Sequence, residues 1–222
     1  MTTTTDTAAM DAATRPLAVV TGASSGIGRA LAREFADHGF DLVIAAEDDE
    51  LREATTELTA HGAHVKAVQA DLATFDGVEQ LVAAAQSDGR AVDALAATAP
   101  GPYHSVYAAS KAFLSSLGQS LRQELKDSGV TVTVLMPGPT DTEFFERAGM
   151  VDTKIGQGPK DDPAEVARDG YEAMMAGKDH VVAGSFKNKV QAAAGRVMSD
   201  PAKGKMQGGM TKPGSGDEEQ RS

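Results

Sequence analysis

The sequence predicts an α/β fold built on a doubly wound parallel sheet, and three observations support this. Short apolar segments of strand length alternate along the chain with longer segments whose apolar residues recur at helical spacing. Glycines follow the first apolar segment directly, where such a fold has a tight strand-to-helix turn. Because strands that alternate with helices form right-handed βαβ units, we expect parallel strands with helices on both faces.

The elements are predicted in chain order from these patterns. Strands are expected at 16–20, 40–46, 64–70, 130–136 and 179–184, and helices at 29–39, 48–62, 74–89 and 105–127. A further helix is expected to open at Asp162 and Pro163, an N-cap residue followed by a proline suited to the first turn. Three of the helices end at a glycine, a common way to terminate a helix.

Length and composition favour one domain. The 222 residues, 41% of them hydrophobic, suffice for one large core over 15–185, with 1–14 and most of 186–222 expected to be flexible. A formal charge of −11 disfavours nucleic acid as a partner. No apolar run has membrane-spanning length and no secretory signal is seen, so we expect no membrane partner and a cytoplasmic location.

Metal and thiol chemistry are not expected. The chain has no cysteine, which excludes disulfides and thiolate ligands, and its five histidines form no recognisable ligand cluster. His61 and His64 are close in sequence, but we interpret them as a solvated pair in a loop.

The segment VVTGASSGIGRA places Gly22, Gly26 and Gly28 between the first predicted strand and helix. Glycines permit a tight turn and a close backbone approach, and the N–H groups and dipole at a helix N-terminus favour an anion such as a pyrophosphate. The alternative is a glycine turn without a ligand. The strand before it, the helix after it and two further βα units favour the nucleotide site.

Four motifs in order resemble the short-chain dehydrogenase/reductase (SDR) family of single-domain type. They are TGASSGIG at 21–28, ADL at 70–72, YAASK at 107–111 and PGPTDT at 137–142. The resemblance covers roughly residues 15–185. It implies a Rossmann-like fold and an NAD(P)-dependent oxidoreductase that moves hydride between a nicotinamide and a small-molecule carbonyl or secondary alcohol.

The resemblance implies three groups of cofactor contacts. Those at the phosphates and adenosine ribose are Gly22, Ser24, Ser25, Gly26, Ile27 and Gly28. Those at the adenine are Asp71 and Leu72, and those at the nicotinamide end are Pro137, Gly138, Thr140 and Thr142. Asp71 has an alternative interpretation as the cap of a turn or helix, which is common after a strand.

The end of the second strand favours NAD over NADP. A carboxylate there accepts from the ribose 2′-hydroxyl, whereas an arginine pairs with a 2′-phosphate. Glu47 is the expected cofactor contact, and with Asp48 it would repel a phosphate, while no basic residue follows until Arg52. An acidic helix start is, however, also what the helix dipole favours without a ligand.

Tyr107 and Lys111 lie four residues apart on a predicted helix, so they share one face. A nearby ammonium lowers the pKa of a phenol from about 10, which a general acid/base requires. This spacing is also frequent on helix surfaces. The resemblance implies that Tyr107 is the acid/base and that Lys111 activates it and binds the nicotinamide ribose.

Two parts of the family pattern are not found in the sequence. A serine about thirteen residues before the tyrosine is replaced by Ala94, and Ala97 and Thr98 stand where two asparagines end the fourth strand. The resemblance therefore predicts an internal deletion of about fifty residues, the size of a βα unit and its next strand. We expect a sheet short of one strand and one helix, and impaired activity. The alternatives are a noncatalytic dinucleotide-binding pseudoenzyme and a defective deletion product.

The same deletion affects the predicted surfaces. The family associates through the helix that carries the tyrosine and a helix that is missing here, so a homo-oligomer is possible but its usual interface is expected to be disrupted. An apolar patch of Phe113, Leu114, Leu117 and Leu121 is then exposed. Phe144, Phe145 and Met150 could line a substrate pocket or form a small amphipathic helix.

Overall fold

The computed structural model describes residues 15–97 and 104–185, together with Met210, Ser215 and Gly216. For residues 104–109 only the backbone is described. The described residues form two compact units. The first comprises 15–24 and 32–97, and the second comprises 25–31 and 104–185 with the three later residues.

A four-stranded parallel sheet forms the first unit, with the strand order β3-β2-β1-β4. Its strands are β1 (Leu17–Thr21), β2 (Asp41–Ala46), β3 (Val65–Gln69) and β4 (Ala94–Ala96). The connecting helices are α1 (Gly26–Asp37), α2 (Leu51–Ala60) and α3 (Phe75–Gln86). One helix therefore joins each strand to the next, as βαβ units require.

Apolar side chains on β1 and β2 form the core of this sheet. Every residue of both strands is buried, which is the pattern of central strands in a parallel sheet. On one face, Val19 and Val43 pack with Ala85, and Leu81 of α3 lies against them. Leu95 of β4 pairs with Val19 but is 63% exposed, and β4 has β1 as its one strand partner among the described residues.

Two parallel strands, β5 (Val134–Pro137) and β6 (His180–Ala183), form the sheet of the second unit. The helices of this unit are α4 (His104–Glu124), α5 (Phe144–Arg147), α6 (Lys154–Gln157) and α7 (Pro163–Met175). The predicted start of α7 is confirmed, since Asp162 Oδ1 accepts a hydrogen bond of 2.8 Å from the Ala164 N–H.

The helix α4 is fixed to the strands of the second unit at two points. A Cβ atom on Gly118 would lie 2.6 Å from Val134 Cγ2, so the glycine permits close packing against β5. Arg122 donates from Nη1 to the Val132 carbonyl and from Nη2 to the Gly177 carbonyl, each at 2.9 Å. These bonds join the end of α4 to the segments that lead into both strands.

The predicted α/β class, with parallel strands flanked by helices, is confirmed. The prediction of a strand over 130–136 was wrong in its extent, because β5 begins at Val134. The physical reason is pairing: β6 begins at His180 opposite Val134, so the residues before Val134 have no strand beside them, and Val130 is 52% exposed.

None of the helices in the described part of the chain is long and apolar enough to cross a membrane.

Candidate functional site

The turn between β1 and α1 takes the backbone conformation that its glycines were expected to allow. Gly22 has φ 63° and Gly26 has φ 56°, values that residues with a Cβ atom rarely adopt. The Ala23 N–H donates to the Ala45 carbonyl at 3.2 Å, which ties the turn to the end of β2. The first N–H groups of α1, including those of Ile27 and Gly28, have no acceptor one turn earlier in the helix and are therefore suited to an anion.

Gly26 also lies close to a second predicted site residue. A Cβ atom at this position would lie 3.1 Å from Cγ2 of Thr142, tighter than an ordinary van der Waals contact. Ser25 precedes Gly26 and its carbonyl accepts from the Arg29 N–H at 3.2 Å, the first helical bond of α1. The structure thus brings the start of α1 and the loop after β5 together.

A serine in the turn is bonded to a carboxylate after β2. Ser24 is buried, and its Oγ donates to Asp48 Oδ2 at 3.0 Å. The other carboxylate oxygen, Asp48 Oδ1, is buried without a hydrogen-bond partner in the described structure. Glu47, the residue selected from the sequence, has an exposed side chain, and its carbonyl accepts from Gln69 Nε2 at 3.1 Å. Sequence reasoning gave Asp48 only a repulsive role, and the adjacent acidic residues gave no sign of its contact with Ser24.

Asp71 forms a turn after β3. Its Oδ1 accepts from the Ala73 N–H at 2.8 Å, and its carbonyl accepts from Thr74 Oγ1 at 2.7 Å. Thr74 Oγ1 in turn accepts from the Gly77 N–H at 3.1 Å and caps α3. The alternative interpretation of Asp71 as the cap of a turn therefore applies to its Oδ1 atom. The neighbouring residue, Leu72, is half-buried.

The loop after β5 is held by its own backbone and by a second segment. Pro137 ends β5, and the Gly138 carbonyl accepts from Thr140 Oγ1 at 2.9 Å. Thr140 is buried and forms an isolated bridge with Asp161, whose N–H donates to the Pro139 carbonyl at 2.8 Å. The loop therefore presents its polar groups from a fixed backbone.

The two predicted catalytic residues lie on α4. Lys111 is half-buried, and burial lowers the pKa of its ammonium group from the usual value of 10.5. The backbone of Tyr107 is part of the same helix, and the structure does not describe the side chain of this residue. Ala94, at the position where the resemblance leads to a serine, is the first residue of β4, and Thr98 also lies outside the described residues.

One contact of the C-terminal segment gave no sign in the sequence. Ser215 is buried, and its Oγ accepts from the Lys154 N–H at 3.0 Å at the start of α6. The Gly216 N–H donates to the Asp152 carbonyl at 3.0 Å. The two residues thus pack against the segment between α5 and α7.

The fold and the glycine turn together indicate the general class of the protein. A glycine turn between the first strand and first helix of a parallel α/β sheet is characteristic of Rossmann-like proteins. The chain belongs to the short chain dehydrogenase family, whose sequence model matches residues 16–101 and 91–150. Both the predicted family and its oxidoreductase character are thereby confirmed, and residues 91–101 are matched twice.

Individual relatives agree with this assignment. The chain is 27% identical to oxidoreductase UcpA of Salmonella typhimurium over 214 residues, covering 71% of this chain and 79% of UcpA. A short-chain dehydrogenase from Sphingobium yanoikuyae, solved with NADPH, has a TM-score of 0.60 at 25% identity, covering 83% of this chain and 96% of that one. A Burkholderia phymatum relative, solved with NAD, has a TM-score of 0.62 at 20% identity, covering 78% and 90%.

Proposed function

We propose that the protein binds NAD(P) and transfers hydride between the nicotinamide and a small-molecule carbonyl or secondary alcohol, with impaired activity. The observation that carries the proposal is the turn before α1, where two glycines with positive φ leave the backbone open beside a helix N-terminus. The unpaired, buried Oδ1 of Asp48 also fits a ligand with hydroxyl donors. Relatives solved with NADPH and with NAD support this class of cofactor.

The proposed cofactor contacts follow the three groups named from the sequence. The turn at 22–28 holds the phosphates, Asp71 and Leu72 meet the adenine, and the loop at 137–142 meets the nicotinamide end. The proximity of Gly26 to Thr142, both in the second unit, supports their assignment to one cofactor. NAD is favoured over NADP, since Glu47 and Asp48 are acidic and Arg52 is 82% exposed and faces Asp49 at 3.6 Å.

In the proposed chemistry, Tyr107 and Lys111 handle the proton while the cofactor, when bound, supplies or accepts the hydride. The Tyr107 hydroxyl gives a proton to the substrate oxygen during reduction and takes it back during oxidation. A positive Lys111 stabilises the phenolate and so lowers the pKa of the tyrosine. Because burial already makes the ammonium less favourable, its attraction to a phenolate is screened less than it would be in open solvent.

A missing block near residues 92–99 is part of the proposal. The match to UcpA extends over 214 residues but includes 71% of the 222 residues here, about 158, so about 56 matched positions have no residue in this chain. The double match of residues 91–101 to the family supports a join at that place. Ala94 cannot donate a hydrogen bond to a substrate oxygen, and loss of one such donor lowers turnover by about 10²–10³-fold.

That loss favours a second candidate function, a noncatalytic dinucleotide-binding protein. Apart from Lys111, the residues proposed to hold the cofactor lie before residue 73 and after residue 136, away from the join. The proton chemistry depends on the segment beside it. A protein that keeps the cofactor-binding segments but lacks part of the segment needed for proton transfer can bind a cofactor without turning over substrate.

Binding and turnover separate these functions. Isothermal titration with NADH and NADPH measures binding, and NADH or NADPH oxidation over a broad panel of aldehydes and ketones measures turnover. Oxidation that depends on the carbonyl compound supports the enzyme, and binding without oxidation supports the noncatalytic protein. Absence of binding to either dinucleotide would contradict both and would leave a defective deletion product.

The catalytic pair is tested on any activity found. Tyr107→Phe is expected to abolish turnover with cofactor affinity retained, and Lys111→Met to lower both turnover and affinity. Lys126→Met, at an exposed lysine beyond α4, is the matched control and should change neither. Unchanged turnover in Tyr107→Phe would reject that tyrosine as the proton donor.

The remaining expectations belong to the same proposal: a domain over 15–185, a mostly flexible segment from 186, a cytoplasmic location and an altered oligomer. Four apolar side chains on α4 support the last of these, since they are 36–64% exposed: Phe113, Leu114, Leu117 and Leu121. Sedimentation velocity over a range of concentrations measures the oligomeric state. A monomer at every concentration would reject association through this face.

A further inference from the structure

Two aspartates hold the chain where β6 ends. Asp161 Oδ1 accepts from the Ser185 N–H at 3.1 Å, and Asp169 Oδ2, on α7, accepts from the Gly184 N–H at 3.1 Å. Gly184 has φ 90°, and a Cβ atom at this position would collide with Asp161 Oδ2. The glycine therefore leaves the space that the Asp161 carboxylate occupies.

The backbone of Asp161 holds a different segment, the loop after β5. Its N–H donates to the Pro139 carbonyl at 2.8 Å, and its carbonyl accepts from the Asp141 N–H at 2.9 Å. These bonds flank Thr140, which is buried and forms a bridge with Asp161. Asp161 therefore binds the loop through its main chain and the end of β6 through its side chain.

The loop at 137–142 and the end of β6 are joined at two places. Pro137, where the loop begins, pairs with Ala183 at the last position of the two-stranded sheet. Beyond that pair the loop leaves the sheet, and its bonds to Asp161 lie two to four residues further on. Because the Asp161 carboxylate is itself bound at Ser185, the end of β6 restrains the loop at its start and at its centre.

We propose that Asp161 is a positioning residue for cofactor binding: its carboxylate, bound at the end of β6, holds the loop at 137–142 in the conformation that receives the nicotinamide end. This rests on the proposed function. Asp161 acts through the loop and does not itself contact the cofactor. A loop that is already in place strengthens binding, because the apparent affinity is reduced by the fraction of molecules that are not competent to bind.

The start of α7 provides the competing explanation. Asp162 caps this helix, so the cap alone could hold the neighbouring Asp161 in place. Asp161→Ala removes the carboxylate and leaves both the cap and the backbone bonds to the loop. Asp169→Ala is the matched control, since this half-buried aspartate also accepts an N–H at the end of β6 but lies within α7.

The test measures affinities by isothermal titration on the full chain with two pairs of ligands. NADH is compared with ADP-ribose, and NADPH with 2′-phospho-ADP-ribose, so each pair differs by the nicotinamide. The wild type is expected to bind the dinucleotide of its preferred pair more tightly than the matched probe. Asp161→Ala should lower this ratio about 3–10-fold, as expected if the loop is competent in about one molecule in three to ten. Asp169→Ala should leave the ratio unchanged.

A conservative variant separates positioning from a general structural role. Asp161→Asn keeps a side-chain oxygen that can accept from the Ser185 N–H, so it should retain most of the wild-type ratio. A purely structural loss would weaken the dinucleotide and its probe equally. Far-ultraviolet circular dichroism shows whether each variant is folded.

Hydrogen exchange on the wild type provides a test that does not depend on the folding of Asp161→Ala. The preferred dinucleotide should slow exchange at the N–H groups of Asp141, Asp161 and Ser185 together, and more than its matched probe does. Slowed exchange at Asp141 with no change at Ser185 would contradict the proposed coupling.

Three titration results would each overturn the role of Asp161 and leave the proposed function standing. They are an unchanged ratio in folded Asp161→Ala, equal changes in Asp161→Ala and Asp169→Ala, and a wild type that binds the dinucleotide no more tightly than its probe. If the folded wild type binds none of the four ligands, the proposed function fails and this inference fails with it.

Discussion

Gly26 is the position where the backbone, the packing and the proposed site can be perturbed by one methyl group. The change Gly26→Ala places a Cβ atom at φ 56°, where a residue other than glycine costs about 1–2 kcal/mol. The same Cβ lies 3.1 Å from Thr142 Cγ2, and relieving such a contact costs on the order of 1 kcal/mol. We therefore expect a total loss of about 2–3 kcal/mol in the free energy of unfolding.

Gly39→Ala separates the two contributions. Gly39 has φ 82°, and a Cβ atom there meets nothing within 4 Å, so only the backbone cost applies. Thr142→Ser removes the Cγ2 atom that an alanine at position 26 would meet. The double variant Gly26→Ala/Thr142→Ser should then recover about 1 kcal/mol relative to the sum of the single changes.

Urea unfolding followed by far-ultraviolet circular dichroism measures these differences, provided that the denaturant slopes agree among variants. Equal losses in Gly26→Ala and Gly39→Ala would refute the packing argument, as would strictly additive effects in the double variant. Isothermal titration with NADH adds a second measurement. Gly26→Ala should abolish binding because the methyl group occupies the space beside the start of α1, while Gly39→Ala should leave the affinity unchanged.

Three further outcomes follow from the second unit. Gly118→Ala should lower the free energy of unfolding by about 1–3 kcal/mol, because the added methyl group meets the valine that begins β5. The control Gln119→Ala, on the exposed side of α4, should change the free energy of unfolding by less than about 0.5 kcal/mol. Arg122→Met should cost about 2 kcal/mol through its lost bonds to two carbonyls, and the control Arg147→Met, in an exposed ion pair, less than about 1 kcal/mol. The pKa of Lys111 is lowered in the folded protein, so the unfolded chain binds this proton more tightly, and the free energy of unfolding should rise with pH in the window just below 10.5. Urea midpoints measured across this window should show the rise in the wild type and not in Lys111→Met.

Local patterns were sufficient to predict most elements of the first unit. The strands β1 and β2 were found because a central parallel strand is apolar throughout, and every one of their residues is buried. The turn was found because Gly22 and Gly26 mark positions where φ must be positive. These features depend on residues close together in sequence, which is why the sequence reveals them.

Features that depend on distant partners could not be predicted in this way. The apolar alternation over 130–136 is typical of a strand, but a strand extends only as far as the strand that pairs with it. β6 begins at His180, which pairs with Val134, so no residue of β6 pairs with the residues before Val134. The bond between Ser24 and Asp48 joins residues 24 apart and leaves no periodic pattern. Nor does anything in the composition around Ser215 indicate that its hydroxyl caps α6.

The position of the proposed join determines which functions can survive independently. Binding of a dinucleotide requires groups that are placed before the ligand arrives, and the bond between Ser24 and Asp48 is an example within a segment away from the proposed join. Proton transfer is more demanding, since a donor to the substrate oxygen must be fixed in the geometry of the transition state. Because the side chain of Ala94 offers no such donor, we expect turnover to be impaired more than cofactor binding. Cofactor affinity is therefore the property to measure first, and turnover should be interpreted against it.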